Sequence, residues 1–192
     1  MNKALYALVF CTLISCGYHF HSIDKSTIEV PYVEGDFDGR FTSLIVKTLS
    51  SKGFSCVNTD GNKRLLVKIL DKQESQIGYM HDRNDDGSIR RNILPTECRE
   101  TMKVECILET GDGKEIFGPF TVTSDSDLDF IEQKSPRELS FVDISGVRQR
   151  VLNFSLGQLE ARENAKEAAA DPLYKSLAEK IAERLIWEYG RE

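Results

Sequence analysis

Polar and apolar residues alternate across residues 101–108. Met102, Val104, Cys106 and Leu108 fall on one phase, and Thr101, Lys103, Glu105 and Ile107 on the other. A period of two requires an extended strand with one face against a core and a second, largely polar face. Three residues on, Gly111-Asp112-Gly113 carries the signature of a tight hairpin, and 115–123 reads as the returning strand. An antiparallel sheet with one covered face needs a second layer to cover it.

Two stretches supply that layer. Phe41, Leu44, Ile45, Thr48 and Leu49 recur at i, i+3, i+4, i+7 and i+8, which is one stripe of a helix. Asp36 and Asp38 stand at its start, Lys47 and Lys52 near its end, and Gly53 where a cap is expected. A second helical pattern runs from roughly Val147 to the C-terminus through Val151, Phe154, Leu159 and the alanines of 165–170. Asp171-Pro172 marks either a kink or a fresh start within it. Beyond that point Leu173, Leu177, Ala178, Ile181, Leu185 and Ile186 form an apolar stripe facing a core. Further strands are expected at 26–33, with Pro31 suggesting an edge position, at 64–70, at 72–80 and at 89–107, the last interrupted or bulged near Pro95. Residues 124–138 read as acidic and irregular. The expected fold class is α+β: a two-layer sandwich of about four mostly antiparallel strands with two helices on one face.

The first residues stand apart from this pattern. Lys3 is followed by an uncharged apolar run from Ala4 to Ile14. That run is too short for a bilayer-spanning helix, which needs ~20 residues, and has the length of a signal-peptide apolar region. It ends in Leu13-Ile14-Ser15-Cys16, which resembles a bacterial lipobox. In that class the cysteine thiol accepts a diacylglycerol, cleavage follows on its N-terminal side, and the new amine is acylated. Several acyl chains on one residue give a stable anchor where a single chain does not. The expected organisation is therefore a lipoprotein signal peptide at 1–15, a lipidated tether at 16–25 and one folded domain at 26–192.

Composition closes other routes. The chain of 192 residues has 25 Lys+Arg against 31 Asp+Glu, a net charge of −6. That balance argues against broad nucleic-acid binding, which relies on clustered cations. Five cysteines are too few for a disulfide scaffold. Cys98 and Cys106 share one strand too far apart to bridge, so only Cys56 could pair with either, and Cys106 falls on the apolar phase as a buried thiol.

The segment Asp82-Arg83-Asn84-Asp85-Asp86-Gly87 matches the opening of a calcium loop, but its twelfth position is Ile93 where that loop needs a bidentate Glu. Flanking strands make it a hairpin tip instead. His19, His21 and His81 lack further ligands nearby, so neither a metal nor another cofactor is expected. No HExxH, Walker loop or GxSxG occurs. Nothing brings Ser126, Asp127 or Glu138 to a histidine, and no enzymatic activity is expected. The cations that do gather are Arg83, Arg90 and Arg91 at the tip, followed by Arg99 and Lys103. Such a group can hold phosphates in charge-assisted bonds.

The order of these elements resembles the lipopolysaccharide-assembly lipoprotein family, LptE. The likeness rests on the Cys16-Gly17-Tyr18 opening and on a tyrosine-to-Asp-Gly tip comparable to Tyr79 through Gly87. It rests also on the Gly-Asp-Gly hairpin and on Glu160 or Glu163 heading an Ala- and Leu-rich final helix. The resemblance implies a protein anchored to the outer membrane on its periplasmic side. There it would plug a large β-barrel (LptD-like), assist its assembly and touch lipopolysaccharide. Carried to this chain, it implies lipid contact at Arg83, Arg90 and Arg91. A different class, an unrelated periplasmic lipoprotein serving as a small-ligand-binding or envelope scaffold module, shares the anchor but needs a deep pocket or another partner.

Overall fold

The computed structural model describes residues 27–84, 88–130, 140–150 and 162–189. The expected signal peptide, Cys16, the tether histidines, the Asp85–Gly87 turn and Glu160 lie outside the described residues.

The chain forms β1 (Thr27–Glu29), α1 (Arg40–Ser51), β2 (Ser55–Val57), β3 (Lys63–Arg83), β4 (Ile89–Thr110), β5 (Glu115–Asp129), β6 (Ser140–Val142), β7 (Arg148–Arg150) and α2 (Arg162–Tyr189). Five strands make one mixed sheet in the order β2-β1-β3-β4-β5, and β6 and β7 form a separate hairpin. The α+β class stands. The sheet has one strand more than expected, and its β1 edge is parallel: β1 pairs in parallel with both β2 and β3.

α1 forms where its stripe predicts. Phe41, Ile45 and Leu49 are buried. Its start is held by aspartates ahead of it. Asp36 accepts hydrogen bonds from the backbone N–H of Thr42 at 2.8 Å and its hydroxyl at 2.6 Å, and Asp38 accepts from the Arg40 N–H at 3.0 Å. These satisfy otherwise orphan donors and place negative charge at the positive helix end. The helix ends in a Schellman motif. Gly53, at φ 95°, donates to the Ser50 carbonyl, and Phe54 donates to that of Leu49.

Several expectations need correction. Pro31 suggested an edge strand, yet β1 lies between β2 and β3 and ends at Glu29, so the proline interrupts no ladder. The segments at 64–70 and 72–80 are one strand, β3, bent by a register shift between Ile69 and Asp71. Residues 124–129 are the second half of β5, not irregular chain. Where the final helix was expected to begin, near Val147, the chain instead makes the β6–β7 hairpin. Asp143 organises its turn by accepting from the Ser145 and Val147 N–H groups, both at 2.9 Å. α2 begins at Arg162 and runs unbroken through Pro172, which is therefore not a fresh helix start.

α2 packs on β5 and β4, and α1 lies beside it, against α2 and β2. The main core joins Phe41, Ile45 and Leu49 of α1 to Leu65, Val67, Met102, Val104, Cys106, Leu108, Phe120 and Val122 of the sheet. Leu173, Leu177, Ile181 and Leu185 of α2 complete it. A smaller cluster of Cys98, Leu128, Phe130, Ala165 and Ala169 lies farther along the sheet. Cys56, Cys98 and Cys106 are all free, and burial pushes the Cys106 thiol up to about 12.

Candidate functional site at the hairpin arm

β3 and β4 stay paired from Lys63 opposite Thr110 to Arg83 opposite Ile89. The two strands are long, 21 and 22 residues, against 15 in β5 and three in β1 and β2. β5 is paired with β4 only as far as Glu97 opposite Asp129, so the outer parts of β3 and β4 project as a two-stranded arm.

The arm ends where the three arginines lie, and the two whose side chains are described, Arg90 and Arg91, differ in what they do. Arg90 is committed internally. Its Nε donates to Asn84 Oδ1 at 2.6 Å, and its Nη1 meets the buried Asp82 carboxylate at 3.1 Å. Arg91 is its neighbour in sequence and therefore faces the opposite side of the strand, where it is exposed. Arg83 belongs to β3 opposite Ile89; its side chain is outside the described residues. Arg99 is also spoken for, with Nε and Nη2 on the two Asp127 oxygens at 2.6 and 2.8 Å. The paired carboxylate raises the Arg99 pKa, and the guanidinium lowers that of Asp127.

Apolar side chains that sequence periodicity did not single out accompany Arg91. Ile89 and Ile93 share its phase of β4 and are 61% and 55% exposed, and on β3 Tyr79 is 62% exposed. Met80, opposite Leu94, is 43% exposed. An exposed cation flanked by exposed isoleucines and a tyrosine suits an amphiphile better than a free anion, because it offers apolar contact and a charge-assisted bond together. The readable signal was the run Ile89-Arg90-Arg91-Asn92-Ile93, whose odd phase is exposed while Leu94 on the other is buried.

A second polar group lies under α2. Glu100 is buried to 1% exposure on the same phase as Met102 and Val104. Its carboxylate oxygens make no hydrogen bond; Lys166 and Lys72 face them at 3.4 and 3.5 Å. Beside it Glu74 receives Lys166 at 2.9 Å and Arg162. Those two cations hold the Glu74 carboxyl down at about 2. Cys98 completes the group, its thiol donating to Gln76 Oε1 at 3.0 Å, with its pKa raised by burial and by the Glu74 carboxylate. Extending the alternation one step back from Met102 would have flagged Glu100 as a carboxylate on an apolar phase.

One cleft of about 480 Å³ opens between the Gly35–Asp38 loop and the β3 bend, floored by Ile69, Met102 and Tyr174. No group of three or more His, Cys, Asp or Glu poised to hold a metal ion occurs among the described residues. His81 is exposed on the arm. No helix among the described residues is long and apolar enough to cross a membrane.

No protein-family profile matches the sequence, and no curated protein matches it either. Solved structures with a related arrangement include a minor lipoprotein from Acinetobacter baumannii, at 14% identity and a TM-score of 0.41, covering 82% of this chain and 87% of that one. An uncharacterized lipoprotein B from Nitrosomonas europaea has 13% identity and a TM-score of 0.39, covering 83% of this chain and 77% of that one. The rare lipoprotein B from Shewanella oneidensis has 11% identity and a TM-score of 0.39, covering 86% and 94%. At this level of superposition the likeness assigns this chain neither a family nor an activity.

Proposed function

We propose that this chain is an outer-membrane lipoprotein of lipopolysaccharide assembly, anchored through acylated Cys16 on the periplasmic side. In this reading it seats inside a large β-barrel and touches lipopolysaccharide with its hairpin arm. No covalent chemistry is part of the proposal. The observation that carries it is the arm itself: two long paired strands reaching past the helical layer and ending in Tyr79, Ile89, Ile93 and an exposed Arg91. Lipid A offers acyl chains and phosphates side by side, which is the pairing such a tip accommodates. Arg83, Arg90 and Arg91 remain the proposed lipid-contact residues; of the two whose side chains are described, Arg91 is exposed for phosphate contact, while Arg90 braces the tip through Asp82 and Asn84.

The test is affinity purification of the full-length tagged protein from detergent-extracted envelopes, beside a Cys16→Ala form. Co-purification of a large β-barrel in stoichiometric amount is the expected result. Cys16-dependent membrane anchoring with no barrel would sink the proposal. It would favour the second reading, a small-ligand-binding lipoprotein, for which the cleft between the Gly35–Asp38 loop and β3 is the place to look.

A further inference from the structure

We propose that residues 162–171 form a salt-latched flap that opens about Pro172 and uncovers the sheet around Cys98 while the rest of α2 stays packed. Four observations converge on this.

The first is the hinge. Pro172 sits inside α2 and has no N–H, so the carbonyl one turn before it lacks its helical donor. A helix bends or parts most easily at such a gap.

The second is the unequal packing on either side of it. After Pro172, Leu173, Leu177, Ile181 and Leu185 are fully buried in the main core. Before it, only Ala165 and Ala169 enter the small cluster with Cys98, Leu128 and Phe130. An alanine methyl buries far less apolar area than a leucine, and at about 25 cal/mol per Å² the difference in hold is large.

The third is that polar contacts do the holding instead. Lys166 reaches Glu74 at 2.9 Å and Glu100 at 3.4 Å, Arg162 also reaches Glu74, and Arg40 of α1 faces Glu167 at 3.6 Å. Arg162 also lies over the Phe130 ring, 5.3 Å from its centre. The side chains of Arg40, Arg162 and Lys166 are 35–48% exposed, so dissolved ions reach these pairs and weaken them.

The fourth is Glu100. Closed, the flap seals a carboxylate whose oxygens lack hydrogen bonds. Opening hydrates it, and the recovered hydration offsets part of the ion-pairing lost. The closed and open arrangements are thus brought close in free energy, which is what a two-position element needs. The open state presents Cys98, Leu128, Phe130 and Glu100 at the root of the arm. The inference stands apart from the lipoprotein reading, since it uses only contacts within the folded domain.

The test uses the full-length protein in detergent and site-resolved alkylation of its thiols, read by peptide mass spectrometry. Between about 50 mM and 1 M NaCl the rate at Cys98 is expected to rise roughly tenfold as the latch is screened. The rate at Cys106, in the main core, is expected to stay unchanged. Pro172→Ala, which restores the missing donor, should slow Cys98 several-fold at every salt concentration. Lys166→Gln should speed it at low salt and flatten the salt dependence. A Cys98 rate indifferent to salt would overturn the latch. Equal acceleration of Cys98 and Cys106 would mean global unfolding instead of a flap. A Pro172→Ala rate equal to the wild type would remove the hinge.

Discussion

The two halves of the β3–β4–β5 sheet are built from the same strands and covered by the same helix, yet they are held differently. Near the Gly111 hairpin, Leu65, Val67, Met102, Val104 and Cys106 meet Leu173, Leu177 and Ile181. Toward the arm, the facing positions are Glu74, Gln76, Cys98 and Glu100, and the helix answers with Arg162, Ala165, Lys166 and Ala169. The first half is stabilised by removal of apolar area from water, which salt does not screen. The second depends on charge pairs whose net contribution is small and environment-dependent. One helix can therefore be firm at one end and conditional at the other.

The largest expected effect tests the firm half. Leu177→Ala should lower unfolding stability by about 2–5 kcal/mol, read from the denaturant midpoint, because the residue is fully buried and a packed core closes only partly onto a void. A loss under about 1 kcal/mol would mean that half is loosely packed. The contrast sharpens at two neighbouring positions on one face. Met102→Glu should destabilise by more than about 3 kcal/mol, since it buries a new charge in the apolar half. Glu100→Met should cost under about 1 kcal/mol or stabilise, because Lys72 and Lys166 are partly exposed and can turn to water. A strong loss from Glu100→Met would break the comparison.

Acid should separate the halves. The Glu74 carboxyl is held at about 2 against 4.5 for the ordinary group. Its contribution is fully present above pH 4.5 and is lost as pH falls from there through 2, because protonation then favours the unfolded chain. Amide exchange in residues 162–171 should accelerate over that window before exchange in 173–185 does. Simultaneous acceleration would show one cooperative unit. At the arm, Arg90→Ala should destabilise the tip by about 1–2 kcal/mol by removing its bonds to Asn84 and Asp82, with Arg91→Ala within about 0.5 kcal/mol. Lipopolysaccharide binding, measured by shift of its aggregates, should fall with Arg91→Ala more than with any change at Arg99. Arg99→Ala should cost little stability, under about 1 kcal/mol, since the Asp127 pair is exposed.

Much of this was readable in the chain. The α1 stripe, its aspartate start and its Gly53 end describe the helix as it forms, because each is a local signal. The Gly111–Gly113 turn and the strands around it are equally local. What escaped is non-local or phase-dependent. The shift between Ile69 and Asp71 moves the helix-facing set from Leu65, Val67 and Ile69 to Lys72, Glu74 and Gln76, so no single period describes β3. Asp125, Asp127 and Asp129 made the end of β5 look like loop, although they are only the outward phase of a strand whose inward residues include Leu128. β1 was placed at an edge from Pro31, because sequence does not say that β2 returns in parallel beside it. At the site, the tip position of Arg90 and Arg91 was legible, but their split roles were not: neighbours along a strand face opposite ways across it, and only Arg90 meets Asp82 and Asn84.

The order in which these parts occur along the chain has a kinetic consequence. The strands β3, β4 and β5 are complete by Asp129, but α2, which packs on β5 and β4, does not begin until Arg162. A chain emerging N-terminus first has α1 but not α2, so the part of the sheet that α2 covers stays exposed through the whole of the intervening synthesis. Strand pairing between β3 and β4 is local and fast, whereas docking of α2 closes a long loop and comes late. The vulnerable interval for aggregation is therefore set by chain order and not by the stability of the finished domain. A chain truncated before Leu173 should collect as insoluble sheet, however well its hairpin forms.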